Sequence, residues 1–410
     1  MSDMITVEAA LARVLASATS PLGEENIVLE ATYGRVLAHD IKALRTQPPF
    51  ANSAMDGYAV HVEDVAAATE ENPVTLPVVA EVAAGDTGAY ALSPGTSIKI
   101  MTGAMLPHGT EAIVPVEWTD GGSARVTIRA KADYGHSVRL AGGDAKAGEV
   151  LVTAGTRLRP MHIAVIAAAG RGAVLVRPRP RAVVLSTGSE LAEPGAPIVP
   201  GRIWDSNSFM IAAAAREAGC LAYRQAIVRD HPDEVLPAIE DQLAQADLMI
   251  TTGGVSMGGE HDVVKAALQR LGTIAFRKVA MQPGMPQGFG TITAASTAER
   301  VPIFTLPGNP VSAYVSFQIF ARPAIGALQA YDGLGLESVR AELTGPLRSP
   351  PGRRSFLRGV LDRSRGQITP LSGQGSHQVA TLGKANALVV VPESVVQMAE
   401  GETAEVLVLP

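Results

Sequence analysis

The stretch "DLMITTGGVSMGGEHDVVKAALQRLG" (247–272) contains three kinds of sequence in a row. A short apolar run with β-branched residues comes first. Glycines crowd the middle, and helical spacing of apolar residues closes it. That pattern predicts a strand, a tight turn and a helix, the repeating unit of a parallel α/β sheet. The same pattern recurs on both sides. "RAVVLSTG" precedes the helical "NSFMIAAAAREAG", and "AYRQAIVRD" precedes "HPDEVLPAIEDQLAQA", a helix opened by Pro232. "IAFRKVAM", "QGFGTIT" and "VPIFTLPG" read as strands, and "NPVSAYVSFQIFARPAIGAL" as a long helix. Residues 179–330 therefore predict a mostly parallel sheet covered on both faces. In such sheets ligands sit beyond the carboxyl ends of the strands.

The flanks differ. Residues 49–138 break into short β-type runs between Gly, Pro and Asp turns, which predicts a small β domain. Residues 1–48 and 139–178 both mix helix and extended pieces. Residues 331–410 return to β character. Apolar residues make up 47% of the 410, enough for several cores. The 34 basic and 40 acidic side chains give a net charge of −6, a poor balance for nucleic acid. The clusters "RPRPR" (177–181) and "GRRSFLR" (352–358) are short. A single cysteine, Cys220, rules out an intrachain disulfide and argues against a cysteine zinc site. The N-terminus is acidic, with helical spacing of Ile5, Leu11, Val14 and Leu15, unlike a signal peptide. No apolar run approaches the ~20 residues that span a bilayer. The expectation is a cytoplasmic protein without a membrane segment.

Five strand ends carry small residues, hydroxyls, amides or acids: "STGSE" (186–190), "WDSNS" (204–208), "VRD" (228–230), "TTGGVSMGGEHD" (251–262) and "LPGNPVS" (306–312). One alone is ordinary turn geometry. Together they predict a ligand site that includes Asp205, Asn207, Gly253, Gly254, Ser256, Pro307, Gly308, Asn309, Pro310 and Ser312. Glycines there admit close backbone approach, and helix starts attract phosphate. Glu190, Asp205, Asp230 and Asp262 carry the wrong charge to touch phosphate directly. A hard cation such as Mg²⁺ reconciles them, because it takes one or two carboxylates together with phosphate oxygens. Asp262 reads equally well as a helix cap, and Asp230 better so. Outside this region "NSAMDGYAV" (52–60) contains Asp56-Gly57, by itself an ordinary hairpin turn. "IMTGA" (100–104) and "VRLAGGDAKAG" (138–148) add Thr102, Arg139 and Asp144.

"FANSAMDGYAV", "IMTGAMLPHGTEAIVPVE", "STGSEL", "DSN", "TTGGVSMG" and "LPGNPVSA" follow one another in an order that resembles the MoeA family of molybdopterin molybdenumtransferases, to which the gephyrin and plant E domains belong. The resemblance covers nearly the whole chain. It implies an elongated N-terminal domain with an inserted β domain, a MogA-like molybdopterin-binding α/β domain, a C-terminal β-barrel, and a homodimer with clefts between subunits. The implied transferase reaction joins adenylylated molybdopterin and molybdate to give molybdenum cofactor and AMP, with Mg²⁺. Implied partners are a molybdopterin adenylyltransferase and apo-molybdoenzymes.

Carried over by motif, Asp56, Thr102, Arg139, Asp144, Glu190 and Lys278 are expected to be catalytic. Asp262 and Glu190 are expected at the metal, and Arg358 and Ser376 at an oxyanion site. Two departures stand out. "MQPGMPQGFG" (281–290) places Gln282 and Met285 where the family commonly has lysines, and Gly143 precedes Asp144 where a glutamate is usual. The alternatives are a molybdopterin adenylyltransferase, which needs only the α/β unit, and a non-catalytic pterin-cofactor carrier with an eroded oxyanion site.

Overall fold

The computed structural model describes residues 4–17, 20–229, 231–253, 265, 268, 272–293 and 300–410. The chain forms two compact units. One comprises residues 1–38, 155–158 and 174–410, and the other residues 39–154 and 159–173.

The larger unit is built on a seven-stranded sheet. Its order is Met4–Ile5, Ala275–Val279, Pro286–Thr293, Arg300–Leu306, Leu248–Thr252, Arg181–Ser186 and Leu221–Arg224. Six strands run the same way. Only Pro286–Thr293 opposes them, pairing antiparallel with both neighbours. Ile5 belongs to the edge strand, parallel to Val279, while the first helix is Val7–Ser17. The helical spacing expected to include Ile5 thus starts two residues later.

Alternation along the strands builds a core on each face. Ala182, Val184, Leu248, Ile250, Phe304 and Leu306 pack with the helix Asn207–Glu217 and the helical run 310–328. Val183, Leu185, Met249, Val301 and Ile303 face the other way, onto Val235, Ile239 and Leu243 of the helix Pro232–Leu243.

Five C-terminal strands close a barrel. Arg354–Asp362 pairs with Gln367–Pro370, and the circuit continues through Ser338–Leu343, Thr403–Val408 and Ala387–Val391 back to Arg354–Asp362. Leu343, Leu357, Ile368, Val389 and Val406 fill it. Phe356, Leu388 and Val390 point outward into the α/β core. A two-residue strand, Met281–Gln282, adds parallel to the barrel strand Arg354–Asp362.

In the smaller unit, five strands run in the order Ala112–Pro115, Gly57–Val60, Ser97–Ile100, Val74–Val82 and Arg125–Ile128. Tyr58, Val60, Ala112, Val114 and Ile128 form one core, and Ala59, Ile98, Ile100 and Ile113 the other. Among the described residues no helix is long and apolar enough to cross a membrane.

Candidate active site

Strand Arg181–Ser186 has Leu221–Arg224 on one side and Leu248–Thr252 on the other. The chain leaves it in one direction and crosses back in the other. That reversal opens a crevice at the carboxyl ends of Arg181–Ser186 and Leu248–Thr252. Ser186 Oγ and Thr252 Oγ1 meet across it at 2.9 Å. Gly253 follows at φ +95°, where a Cβ would stand 2.6 Å from the Thr187 carbonyl oxygen. Only glycine fits there. A Cβ on Gly308 would stand 3.7 Å from the Gly253 Cα, and Asn207 Nδ2 donates to Gly308 O at 2.7 Å. Thr187, Asn207, Gly253 and Gly308 therefore converge at one mouth. Thr187 Oγ1 and Asn207 Oδ1 are buried there without a hydrogen-bond partner among the described residues. Buried polar atoms are rarely left so, and a ligand would satisfy both.

Asp205 is 1% exposed. It accepts from Ser186 Oγ (3.1 Å), Ser208 N (3.1 Å) and Ser208 Oγ (2.5 Å). Arg224 stands 3.9 Å from it and donates to Ser208 Oγ at 2.7 Å and to Glu193. Asp205 thus anchors the start of helix Asn207–Glu217 from beneath the mouth. Glu190 is exposed, and its carboxylate folds over Gly188, 2.6 Å from where a Cβ would be. Among the described residues it has no ion-pair partner, so it is a carboxylate open to a cation. Among those residues no three His, Cys, Asp or Glu side chains gather. Gly254, Ser256, Asp262 and Asp230 lie outside the described residues.

At the same end of the larger unit a cavity of about 410 Å³ separates the α/β turns from the barrel. Gln282, Met285, Pro307, Asn309, Ser312 and Ser376 line it, and so do Arg353 and His377. Ser312 sits on the first turn of the helix Pro310–Ser316, with Pro310 at its first position. Asn309 Nδ2 donates to Ser376 Oγ at 3.0 Å, and Val311 N donates to Ser376 O at 3.0 Å, fixing the barrel loop to the helix start.

Arg358 does not line this cavity. It is 1% exposed, and its guanidinium donates to the carbonyls of Gly373, Gly375 and Gln378 and to Thr381 Oγ1, at 2.6–3.1 Å. It holds the loop that carries Ser376. Arg354 is engaged with Glu8 and Glu393. Arg353 alone of the cluster "GRRSFLR" faces the cavity. In sequence, Arg353 is only part of a short basic run. The only available signal was that this run contains three arginines, which the turn before strand Arg354–Asp362 and the strand itself send to three different surroundings. Lys278 lies one residue from the end of its strand, level with Met4 and Pro286, and does not line the cavity.

In the smaller unit, Gly57 pairs with Ile100 on one side and Pro115 on the other. It is a strand residue, not half of a hairpin turn. The antiparallel register brings Asp56, before Gly57, to the same ladder end as Thr102, after Ile100. Thr102 donates to Asp56 Oδ1 twice, from N at 2.7 Å and from Oγ1 at 2.8 Å. The N–H bond first, then the hydroxyl, hold the Asp56 carboxyl below its ordinary pKa. Arg139 is exposed and pairs with Asn52 in the short ladder that leads into the Asp56 bend. Asp144 is exposed on a turn, its N–H bonded to Gln47 O at 3.0 Å.

Three family descriptions match the chain in series. They are "MoeA N-terminal region (domain I and II)" over residues 5–170, "Probable molybdopterin binding domain" over 183–327, and "MoeA C-terminal region (domain IV)" over 340–409. Molybdopterin molybdenumtransferase 2 of Mycobacterium tuberculosis is 42% identical over 96% of this chain and 97% of its own length. Molybdopterin molybdenumtransferase of Bacillus subtilis is 33% identical over 94% and 90%. The crystal structure of a molybdopterin biosynthesis MoeA protein from Pyrococcus horikosii superposes with a TM-score of 0.83, at 31% identity over 99% of both chains. The α/β sheet, inserted β unit and closed barrel expected from the sequence are all present, and the chain belongs to the MoeA family.

Proposed function

We propose that this chain is a molybdopterin molybdenumtransferase that converts adenylylated molybdopterin and molybdate to molybdenum cofactor and AMP. The observation that carries the reading is the cavity that Arg353, Ser312 and Ser376 line together beside the Gly253–Gly308 mouth. A dianion needs a cation and O–H or N–H donors, and those three side chains supply them. At the mouth, the Thr187 hydroxyl and the Asn207 amide oxygen are free to hold a polar ring or ribose, and the glycines let the phosphate lie against the backbone. Arg353 supplies charge that Gln282 and Met285 do not, which weighs against a non-catalytic carrier.

Glu190 and Asp262 are the residues that would hold Mg²⁺, and Glu190 fits that task as an exposed carboxylate at the mouth. The ion, when bound, offsets phosphate charge and makes AMP a better leaving group. Asp205 and Arg358 are positioning residues in this scheme. Asp56 contributes an ionised carboxylate. Thr102 occupies one of its oxygens and leaves the other for water, metal or substrate. We assign Arg139, Asp144 and Lys278 supporting roles in the same reaction. The four-domain division at 1–48 with 139–178, 49–138, 179–330 and 331–410, a homodimeric state, a cytoplasmic setting, and hand-over between an adenylyltransferase and apo-molybdoenzymes complete the proposal.

The deciding assay mixes purified protein with adenylylated molybdopterin, Mg²⁺ and molybdate. Molybdate-dependent AMP release that activates an apo-molybdoenzyme is the expected result. Binding without AMP release overturns the reading in favour of a carrier, and ATP-dependent adenylylation of free molybdopterin overturns it in favour of an adenylyltransferase.

A further inference from the structure

The run "RPRPR" (177–181) enters the sheet at the amino end of strand Arg181–Ser186, on the edge opposite the candidate active site. Prolines at 178 and 180 keep it extended, and alternate residues of an extended chain share a side. The outer two arginines are engaged. Arg177 donates to Leu22 O at 3.2 Å and pairs with Glu24, and Arg181 binds Asp247 through two bonds of 3.0 and 2.7 Å. Arg179, between them, is exposed and has no hydrogen bond or ion pair among the described residues.

Arg179 borders a cavity of about 1070 Å³ together with Arg35, Arg181 and Arg300. Arg300 opens strand Arg300–Leu306, two strands away from Arg181, which puts the strand starts roughly 10 Å apart. It too is exposed and unpaired among the described residues. An adjoining cavity of about 550 Å³ shares Arg300 and adds Arg13 from the first helix. Among the described residues, five arginines thus face two acids, Glu25 and Asp247, on a chain whose net charge is −6. Arg35 is 9% exposed, and its bonds to Glu25 and to Arg177 O both leave from Nη2. Burial and then the nearby Arg179 charge make its protonated form harder to hold. Like charges gathered this way call for an anion between them. Leu22, Leu221 and Pro302 give the larger cavity apolar walls, and its volume is at the upper end of the range for small-molecule sites.

We propose that this cleft is a second ligand site, separate from the transferase site, which takes a nucleoside phosphate. Arg179 and Arg300 hold the phosphate, and the apolar walls receive the base. The proposal does not depend on the transferase reading, which uses the opposite edge of the sheet.

Calorimetric titration of the full chain with AMP, and separately with inorganic phosphate, tests it. The variants are R179A/R300A, whose side chains support no contact among the described residues, and R353A at the other edge. The expected result is an AMP-binding component that weakens at least about tenfold in R179A/R300A, persists in R353A, and falls with added salt. AMP binding more tightly than phosphate supports a site that reads the base. Equal binding of the two overturns the nucleoside part and leaves a phosphate site. No component lost in R179A/R300A, or the same component lost in R353A, overturns the second site altogether. Molybdate-dependent AMP release by R179A/R300A within about twofold of the parent keeps this test independent of the transferase assay.

Discussion

Thr102 gives both its backbone N–H and its hydroxyl to one oxygen of Asp56, at 2.7 and 2.8 Å. Both bonds favour the charged carboxylate and lower its pKa. A carboxyl with a depressed folded-state pKa stabilises the fold above its unfolded value, and that contribution is lost as pH falls through the folded value. Asp56 is exposed, so the effect to look for is in activity. Thr102→Val removes the hydroxyl bond and keeps the N–H bond. The acid limb of the pH–rate profile should move to higher pH by part of the original depression, with turnover near pH 7 little changed. A limb that stays in place would mean that Asp56 ionisation does not control the reaction.

Arg353 and Arg358 should fail differently. Arg358→Gln strands several buried carbonyls, each a hydrogen bond to a charged donor, and should lower stability by about 3 kcal/mol or more. Arg353→Ala should leave the melting temperature near the parent value. It should raise the half-saturating molybdate concentration, since one charge pair at ~4 Å is worth roughly 1 to 4 kcal/mol between water and an effective dielectric of 20. Thermal melts and AMP release against molybdate separate the two. The same pattern in both variants would contradict the division of labour.

The sheet and the barrel were legible because period-two runs and strong motifs pointed the same way. What was not legible came from long-range register. Nothing near Arg353 in sequence says that it faces a cavity while Arg358, five residues on, is sealed beneath a loop. Nor does Asp56-Gly57 announce a strand start, because the reason for Gly57 is a carbonyl on another strand, that of Val114. The departure at Gln282 and Met285 was visible in the sequence, but what offsets it lies about seventy residues downstream.

Gly57 carries a sharp test of that register. A Cβ there would stand 2.0 Å from Val114 O, a backbone atom that moves only with its strand. Gly57→Ala should destabilise the smaller unit by about 1–3 kcal/mol, as overpacking does, and disturb Asp56 next to it. Denaturant unfolding measures the first effect. Parent-like stability would place the neighbouring strand further away than described.

Glu190→Gln keeps the size of the side chain and removes its charge. If Glu190 supports Mg²⁺, half-saturating Mg²⁺ for AMP release should rise by roughly tenfold or more, with the melting temperature unchanged. Asp262→Asn should act likewise. Combining the two should not be additive, because both bear on one ion. An unmoved Mg²⁺ curve in both single variants would remove the metal role.

Gln282 and Met285 line the cavity beside Arg353, at positions where the family resemblance leads to an expectation of lysine. Gln282 is exposed and still offers an amide N–H, whereas Met285 offers only a weak sulfur acceptor. With Arg353 as the cavity's fixed charge, each added lysine should strengthen molybdate capture by about fivefold to several hundredfold, the span set by local dielectric. Met285→Lys should therefore lower the half-saturating molybdate concentration and make it more sensitive to salt, because screening acts on the new charge. Gln282→Lys should do the same more weakly, since it replaces a donor already there. In Arg353→Ala, Met285→Lys should recover part of the lost affinity. AMP release against molybdate at two ionic strengths reads all three effects. If both lysine variants leave the curve unmoved or raise the requirement, molybdate does not bind in this cavity.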